Sequence, residues 1–94
     1  MVKFDLNQVA PLIRTWRAFE RAHAQTAQEL LGRIQGACEP LVARTDYSRL
    51  LADDTLRDLR NAVSPYANEL GFNVDNDREF LFWVIAMCYY LTAQ

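Results

Sequence analysis

The sequence predicts an all-α fold: a compact bundle of about four helices, with a long N-terminal helix and an apolar C-terminal helix. Three observations favour this fold. The 94 residues are enough for one domain and too few for two. Apolar residues make up 51% of the chain, which is sufficient for a core. Apolar positions recur with helical periodicity along almost the whole chain, so we predict a single helical domain over residues 1–94.

The first helix is predicted to run from about Gln8 to Gly36, a length of roughly 40 Å. Pro11 fits only in or near a first turn, so the helix should begin between residues 7 and 10. Gly36 and Pro40 should end it. Its apolar positions form one stripe about 120° wide: Val9, Leu12, Ile13, Trp16, Phe19, Ala27, Leu30, Leu31 and Ile34.

Two further helices are predicted in the middle of the chain. Pro40 suits the start of a short helix that carries Leu41, Val42, Tyr47, Leu50 and Leu51. A third helix begins at about Asp54 and carries Leu56, Leu59, Val63, Tyr66 and Leu70. Pro65 lies inside it, so the helix either kinks there or gives way to a separate turn capped by Ser64. Gly71 should be the C-terminal stop.

The last helix is predicted from a cap at Asn76, with Glu79 three residues later, to about Thr92. It is apolar on all sides. One half of the helix suffices to face the core: Phe80, Leu81, Val84, Ile85, Cys88 and Leu91. The other half still carries Phe82, Trp83, Ala86, Tyr89 and Tyr90. Its longest apolar run, twelve residues, is shorter than the roughly 20 that a membrane-spanning helix needs, so no membrane span is expected.

This aromatic surplus has two interpretations. In the first, the other helices wrap the last helix, which is then buried on all sides. In the second, its outer half meets another chain, because monomers rarely leave a large apolar patch uncovered and Tyr and Trp are frequent binding hot spots. We favour the second interpretation, in which the other chain is either a second copy, giving a homodimer through the C-terminal helix, or a different protein.

A second candidate binding feature lies on the first helix. Arg14, Arg17 and Arg21 share one face, about 60° wide, on its solvent side. They either form an ordinary solvated face, partly paired with Glu20, or a ridge that contacts an anionic partner. Arginine suits interfaces because its planar fork pairs with carboxylates in a bidentate manner. The residues predicted to bind a partner are therefore Phe82, Trp83, Tyr89, Tyr90, Arg14, Arg17 and Arg21.

Catalytic and metal-binding patterns are weak. The single histidine, His23, falls on the apolar stripe of the first helix, and we interpret it as structural. The spacing of His23, Cys38 and Cys88 does not match a metal-binding motif. We therefore expect no bound metal, no cofactor and no enzymatic activity. The alternative is a small helical ribonuclease-type enzyme using His23 and Arg17, since five residues separate them and some helical ribonucleases have a similar spacing.

The two cysteines and the N-terminus bear on location. Cys38 and Cys88 lie in apolar stretches, and we interpret them as buried thiols in a reducing compartment, although the sequence leaves open whether they are bonded. The first seven residues contain no uninterrupted apolar segment of the kind found in secretory signals. A cytoplasmic location is therefore expected.

Together these features favour a non-enzymatic protein-binding module that occludes a larger partner protein. The net charge of −2 makes nucleic acid an unlikely partner, although a nucleic-acid-binding regulator using the arginine ridge is a further alternative. In size, acidity and helical plan, the chain resembles the format of small phage or bacterial inhibitors: anti-CRISPR proteins, anti-sigma factors, anti-activators and immunity proteins. That resemblance covers no motif, and it implies an inhibitor or anti-activator.

Overall fold

A computed structural model describes residues 6–43 and 54–92. In these two ranges the chain is helical and has no strand, which confirms the all-α prediction. The helices are α1 (Leu6–Ala22), α2 (Ala24–Ala43), α3 (Asp54–Val63), α4 (Ala67–Leu70) and α5 (Asp77–Thr92). Four of them have ten or more residues, whereas α4 has a single turn. The molecule measures 34 × 27 × 23 Å along its principal axes.

The predicted continuous N-terminal helix is wrong, because the chain turns at His23 and forms α1 and α2 instead. Residues 6–43 in one straight helix would extend about 57 Å, well beyond the longest axis of the molecule. Helical hydrogen bonds continue on both sides of the turn, from His23 N to Phe19 O (2.8 Å) and from Ala27 N to His23 O (2.9 Å). No large apolar side chain lies between Phe19 and Ala27. The turn therefore lets both apolar stretches pack against α5.

The predicted helix end at Gly36 and Pro40 is also wrong, since α2 continues to Ala43. Two neighbours of Gly36 hold this part of α2 in the fold: Ala37 is fully buried, and Cys38 is bonded to α5. The short helix predicted to begin at Pro40 does not begin there. Its remaining apolar positions, Tyr47, Leu50 and Leu51, lie outside the described residues.

The two alternatives at Pro65 are resolved in favour of a break. Helix α3 ends at Val63, and a 3-10 turn over Ser64–Tyr66 precedes α4. Proline has no N–H for the α-helical ladder, which accounts for the interruption. The N-cap of this turn is Val63 and Ser64 is its first residue, so the predicted cap at Ser64 is wrong.

The predicted stop at Gly71 is confirmed. Gly71 has a φ of +88°, a left-handed conformation that favours glycine. Its N–H donates to Ala67 O (2.9 Å), as does the N–H of Phe72 (3.1 Å). Both bonds end on the Ala67 carbonyl, at the first residue of α4, and close the turn that leads the chain toward α5.

The start of α5 matches the prediction. The Glu79 N–H donates to Asn76 Oδ1 at 3.1 Å, so Asn76 is the cap of this helix. The Glu79 carboxylate accepts a bond from the Asn73 N–H at 3.2 Å, and thereby holds the preceding loop to the first turn. Helix α5 ends at Thr92, as expected.

The core forms where α1 and α2 pack against α5 and where α3 packs against α2. Its centre is aromatic: the Trp83 ring stacks on Phe72 at 4.9 Å and meets Trp16 edge-on at 6.3 Å, while Trp16 lies 5.5 Å from Phe19. The larger aliphatic side chains buried around these rings are Leu30, Ile34, Leu56, Leu59, Val63, Leu70, Val84 and Met87. Buried aromatic rings of this size contribute much of the hydrophobic stabilisation of a small domain.

Cys38 and Cys88 form a disulfide, so the interpretation as two thiols is wrong. Their Cα atoms are 5.6 Å apart, within the range that the bond requires. The disulfide joins α2 to the last turns of α5 across 50 positions of sequence. Because disulfides persist mainly in oxidising compartments, it weighs against the reducing compartment inferred from the sequence.

Candidate protein-binding surface

Helix α5 is oriented differently from the prediction. Its fully buried residues are Phe80, Trp83, Val84, Ala86 and Met87. Trp83 was predicted to bind a partner, but it fills the centre of the core and is not exposed. Conversely, Leu81 and Ile85, expected in the core, are only partly buried. The large indole of Trp83 fills the space between α1 and the loop after α4, which sets the rotation of the helix.

The other three predicted aromatic residues reach the surface to different degrees. Tyr89 is exposed (37%), whereas Phe82 and Tyr90 are half-buried. At 100° per residue, Phe82 and Tyr89 lie about 80° and 100° around the α5 axis from Tyr90. Helix α5 is therefore buried on one side and reaches the surface on the other, so neither sequence-based interpretation holds in full.

The three ridge arginines, Arg14, Arg17 and Arg21, are all exposed on α1. Across the described part of the chain, none of them has a carboxylate within ion-pair distance. Three other described arginines have such partners: Arg33 with Glu29 (3.6 Å), Arg57 with Asp54 (3.9 Å) and Arg60 with Asp77 (2.9 Å). Arg78 has none among the described residues, but it is a single exposed arginine. The expected pairing with Glu20 is absent, since the Glu20 carboxylate instead accepts a hydrogen bond from Tyr90 of α5. The ridge is thus a local concentration of positive charge on an acidic protein.

Tyr90 joins the arginine ridge to α5. The guanidinium of Arg17 lies over the Tyr90 ring, 5.7 Å from its centre, a cation–π contact. The Tyr90 hydroxyl donates to Glu20 Oε1 at 3.3 Å. These contacts hold Arg17, the middle arginine of the ridge, against α5. We define the α1–α5 face as Arg14, Arg17, Arg21 and Tyr90.

A shallow groove of about 290 Å³ lies next to this face, where the chain turns from α1 into α2. Its walls are Glu20, Ala24, Gln25, Ala27 and Gln28. Small-molecule sites are normally lined by apolar and aromatic side chains with a few polar groups. This groove has mostly short or polar walls and lacks that lining. It extends the α1–α5 face through Glu20.

His23 is exposed at the turn between α1 and α2, not on a buried stripe as predicted. Its Nε2 lies 3.0 Å from Glu69 Oε1 of α4, and its ring packs 4.9 Å from Phe19 and 6.3 Å from Tyr66. Arg17 has a different partner, Tyr90. His23 and Arg17, the two residues of the ribonuclease alternative, therefore each make structural contacts with different partners.

Metal clusters and membrane-spanning helices are not found among the described residues. No group of three or more His, Cys, Asp or Glu side chains there could hold a metal ion. None of the described helices combines the length and apolarity needed to cross a bilayer. Comparison with protein-family models, curated proteins and solved structures finds no match to this chain. Function must therefore be inferred from the surface itself.

Proposed function

We propose that this protein is a small non-enzymatic binding module that occludes a larger partner protein through its α1–α5 face. The observation that carries the proposal is the arginine ridge, whose three exposed side chains have no carboxylate partner in the described structure. Arg and Tyr are both enriched among residues that dominate binding energy. On this proposal the protein acts as an inhibitor or anti-activator of the phage or bacterial type.

The contacts of Tyr90 support the proposal because they order part of the face before binding. An arginine that is already positioned loses less side-chain entropy when it meets a partner carboxylate. Arg17 is positioned by the Tyr90 ring, which is itself tethered to Glu20. Arg14 and Arg21 lie one turn on either side of it, so the ordered residue is at the centre of the ridge.

A different protein suits this face better than a second copy. In a two-fold dimer the same patch meets itself, so a dimer centred on the α1–α5 face would bring two arginine ridges together. Like charges facing each other across an interface are unfavourable. A homodimer through the C-terminal helix would have to use its far side, around Phe82 and Tyr89. Light scattering of the purified protein distinguishes the two arrangements.

The proposal is tested by affinity capture from the native host with two matched triple variants. The ridge variant is Arg14→Gln/Arg17→Gln/Arg21→Gln, and the control is Arg33→Gln/Arg57→Gln/Arg78→Gln, which removes the same charge from exposed arginines elsewhere. The expected result is a stoichiometric protein bound by wild type and control but lost from the ridge variant. Equal capture by both variants, or no stoichiometric protein with wild type, contradicts the proposal.

A further inference from the structure

We infer that the α1–α5 face takes an acidic amphipathic helix of the partner protein, whose carboxylates repeat at three- and four-residue spacing. This inference rests on the proposed function and adds the chemistry of the segment that is bound. The spacing of the arginines, the small side chains among them and the charge of the chain support it.

The spacing of the ridge matches a helix laid alongside α1. Arg14, Arg17 and Arg21 are three and four residues apart, so they rise about 4.5 Å and 6 Å along the axis. A partner helix with carboxylates at the same intervals presents one to each guanidinium. Side chains on one face of an extended strand repeat about every 6.8 Å, a spacing that matches neither interval between the arginines.

Small side chains leave room for close approach. Ala10 and Ala18 are exposed and lie one turn before and one turn after Arg14 on the same side of α1. With only methyl groups at these two positions, nothing bulky separates the arginines from a helix packed at the usual 8–10 Å between axes. The partly buried ring of Tyr90 borders the ridge and offers apolar contact to the flank of the bound helix next to its carboxylates.

Charge favours an acidic protein segment over nucleic acid. The whole chain carries a net charge of −2, which repels a long polyanion. The three arginines act locally, since interactions between exposed charges are screened beyond about 8–10 Å. A helix with three carboxylates fits this short positive segment, whereas a longer polyanion extends beyond it over a chain whose net charge is −2.

The test uses the full disulfide-bonded chain and three fluorescent probes. The first probe is a 21-residue helical peptide with three glutamates on one face at three- and four-residue spacing, flanked by leucines. The second is a peptide of the same composition with its glutamates distributed around the helix, and the third is a 20-base-pair DNA duplex. Binding is measured by fluorescence anisotropy at low salt, with the ridge and control triple variants beside wild type.

We expect wild type and the control variant to bind the face-matched peptide at least fivefold more tightly than its isomer. The ridge variant should bind the face-matched peptide at least tenfold more weakly than wild type does. Equal binding of the two peptides overturns the inference, as does equal loss in both variants. Tighter binding of the duplex, with a steep salt dependence, also overturns it and favours the nucleic-acid alternative. If ridge-dependent capture of a host protein persists while the peptides bind equally, the inference fails and the proposed function stands.

Discussion

Reduction of the Cys38–Cys88 disulfide should destabilise the protein by about 4 kcal/mol. The bond closes a loop across 50 positions of sequence, and the loop entropy that it removes from the unfolded chain is about 14 cal/mol/K for a loop of this size. At 25 °C this entropy corresponds to about 4 kcal/mol. Small domains have unfolding free energies of about 5–15 kcal/mol, so much of the stability is at stake.

The assay is urea unfolding, followed by far-UV circular dichroism, with and without a phosphine reductant. With a urea slope of about 1–3 kcal/mol/M, the midpoint should fall by at least about 1.3 M on reduction. The double variant Cys38→Ala/Cys88→Ala should unfold near the midpoint of the reduced wild type. As the matched control, that variant should show no response to the reductant.

Two outcomes would refute the reasoning. One is an unchanged midpoint after complete reduction, which would mean that the cross-link does not restrict the unfolded chain. The other is intact-mass analysis of the air-oxidised protein that finds two alkylatable thiols, which would remove the bond itself. A fall in the midpoint of the double variant on adding reductant would indicate that the reductant acts elsewhere.

Three further predictions concern local structure, each measured as a change in unfolding free energy. Gly32→Ala should stabilise the protein by about 1 kcal/mol, because Gly32 is exposed within α2 and nothing lies within 4 Å of an added Cβ. Gly71→Ala should instead destabilise it by about 1–2 kcal/mol, because the φ of Gly71 is +88°. Equal effects of the two substitutions would contradict this account. Tyr90→Phe should cost about 1 kcal/mol through loss of the bond to Glu20, and an unchanged stability would mean that this bond is not maintained in solution. Asn76→Ala should cost about 1 kcal/mol by removing the cap of α5, a result that Asn76→Asp should largely avoid.

The features that the sequence predicts correctly are determined by neighbouring residues. The cap at Asn76 and the stop at Gly71 depend on groups within a few positions, and both are found where expected. Helical periodicity predicts the all-α class for the same reason. The break at Pro65 also follows from local chemistry, although sequence alone left the choice between a kink and a separate turn open.

The features that the sequence does not predict depend on distant contacts. No proline or glycine marks the turn at His23, which follows from the packing of α1 and α2 on α5. A helix that is apolar on all sides gives no indication of its rotation, so Trp83 could not be assigned to the core. The contact between Tyr90 and Glu20 joins residues 70 positions apart, and no local pattern indicates it.

The central claim, that a partner docks on the α1–α5 face, is tested most directly by site-specific photo-crosslinking in the native host. A photoreactive amino acid replaces Gln25, which is exposed in the groove beside Glu20, or Asn61, which is exposed on α3. We predict a single adduct with a different protein from position 25 and none from position 61. An adduct of twice the chain mass at position 25, or a heterologous adduct from position 61 alone, would contradict the claim.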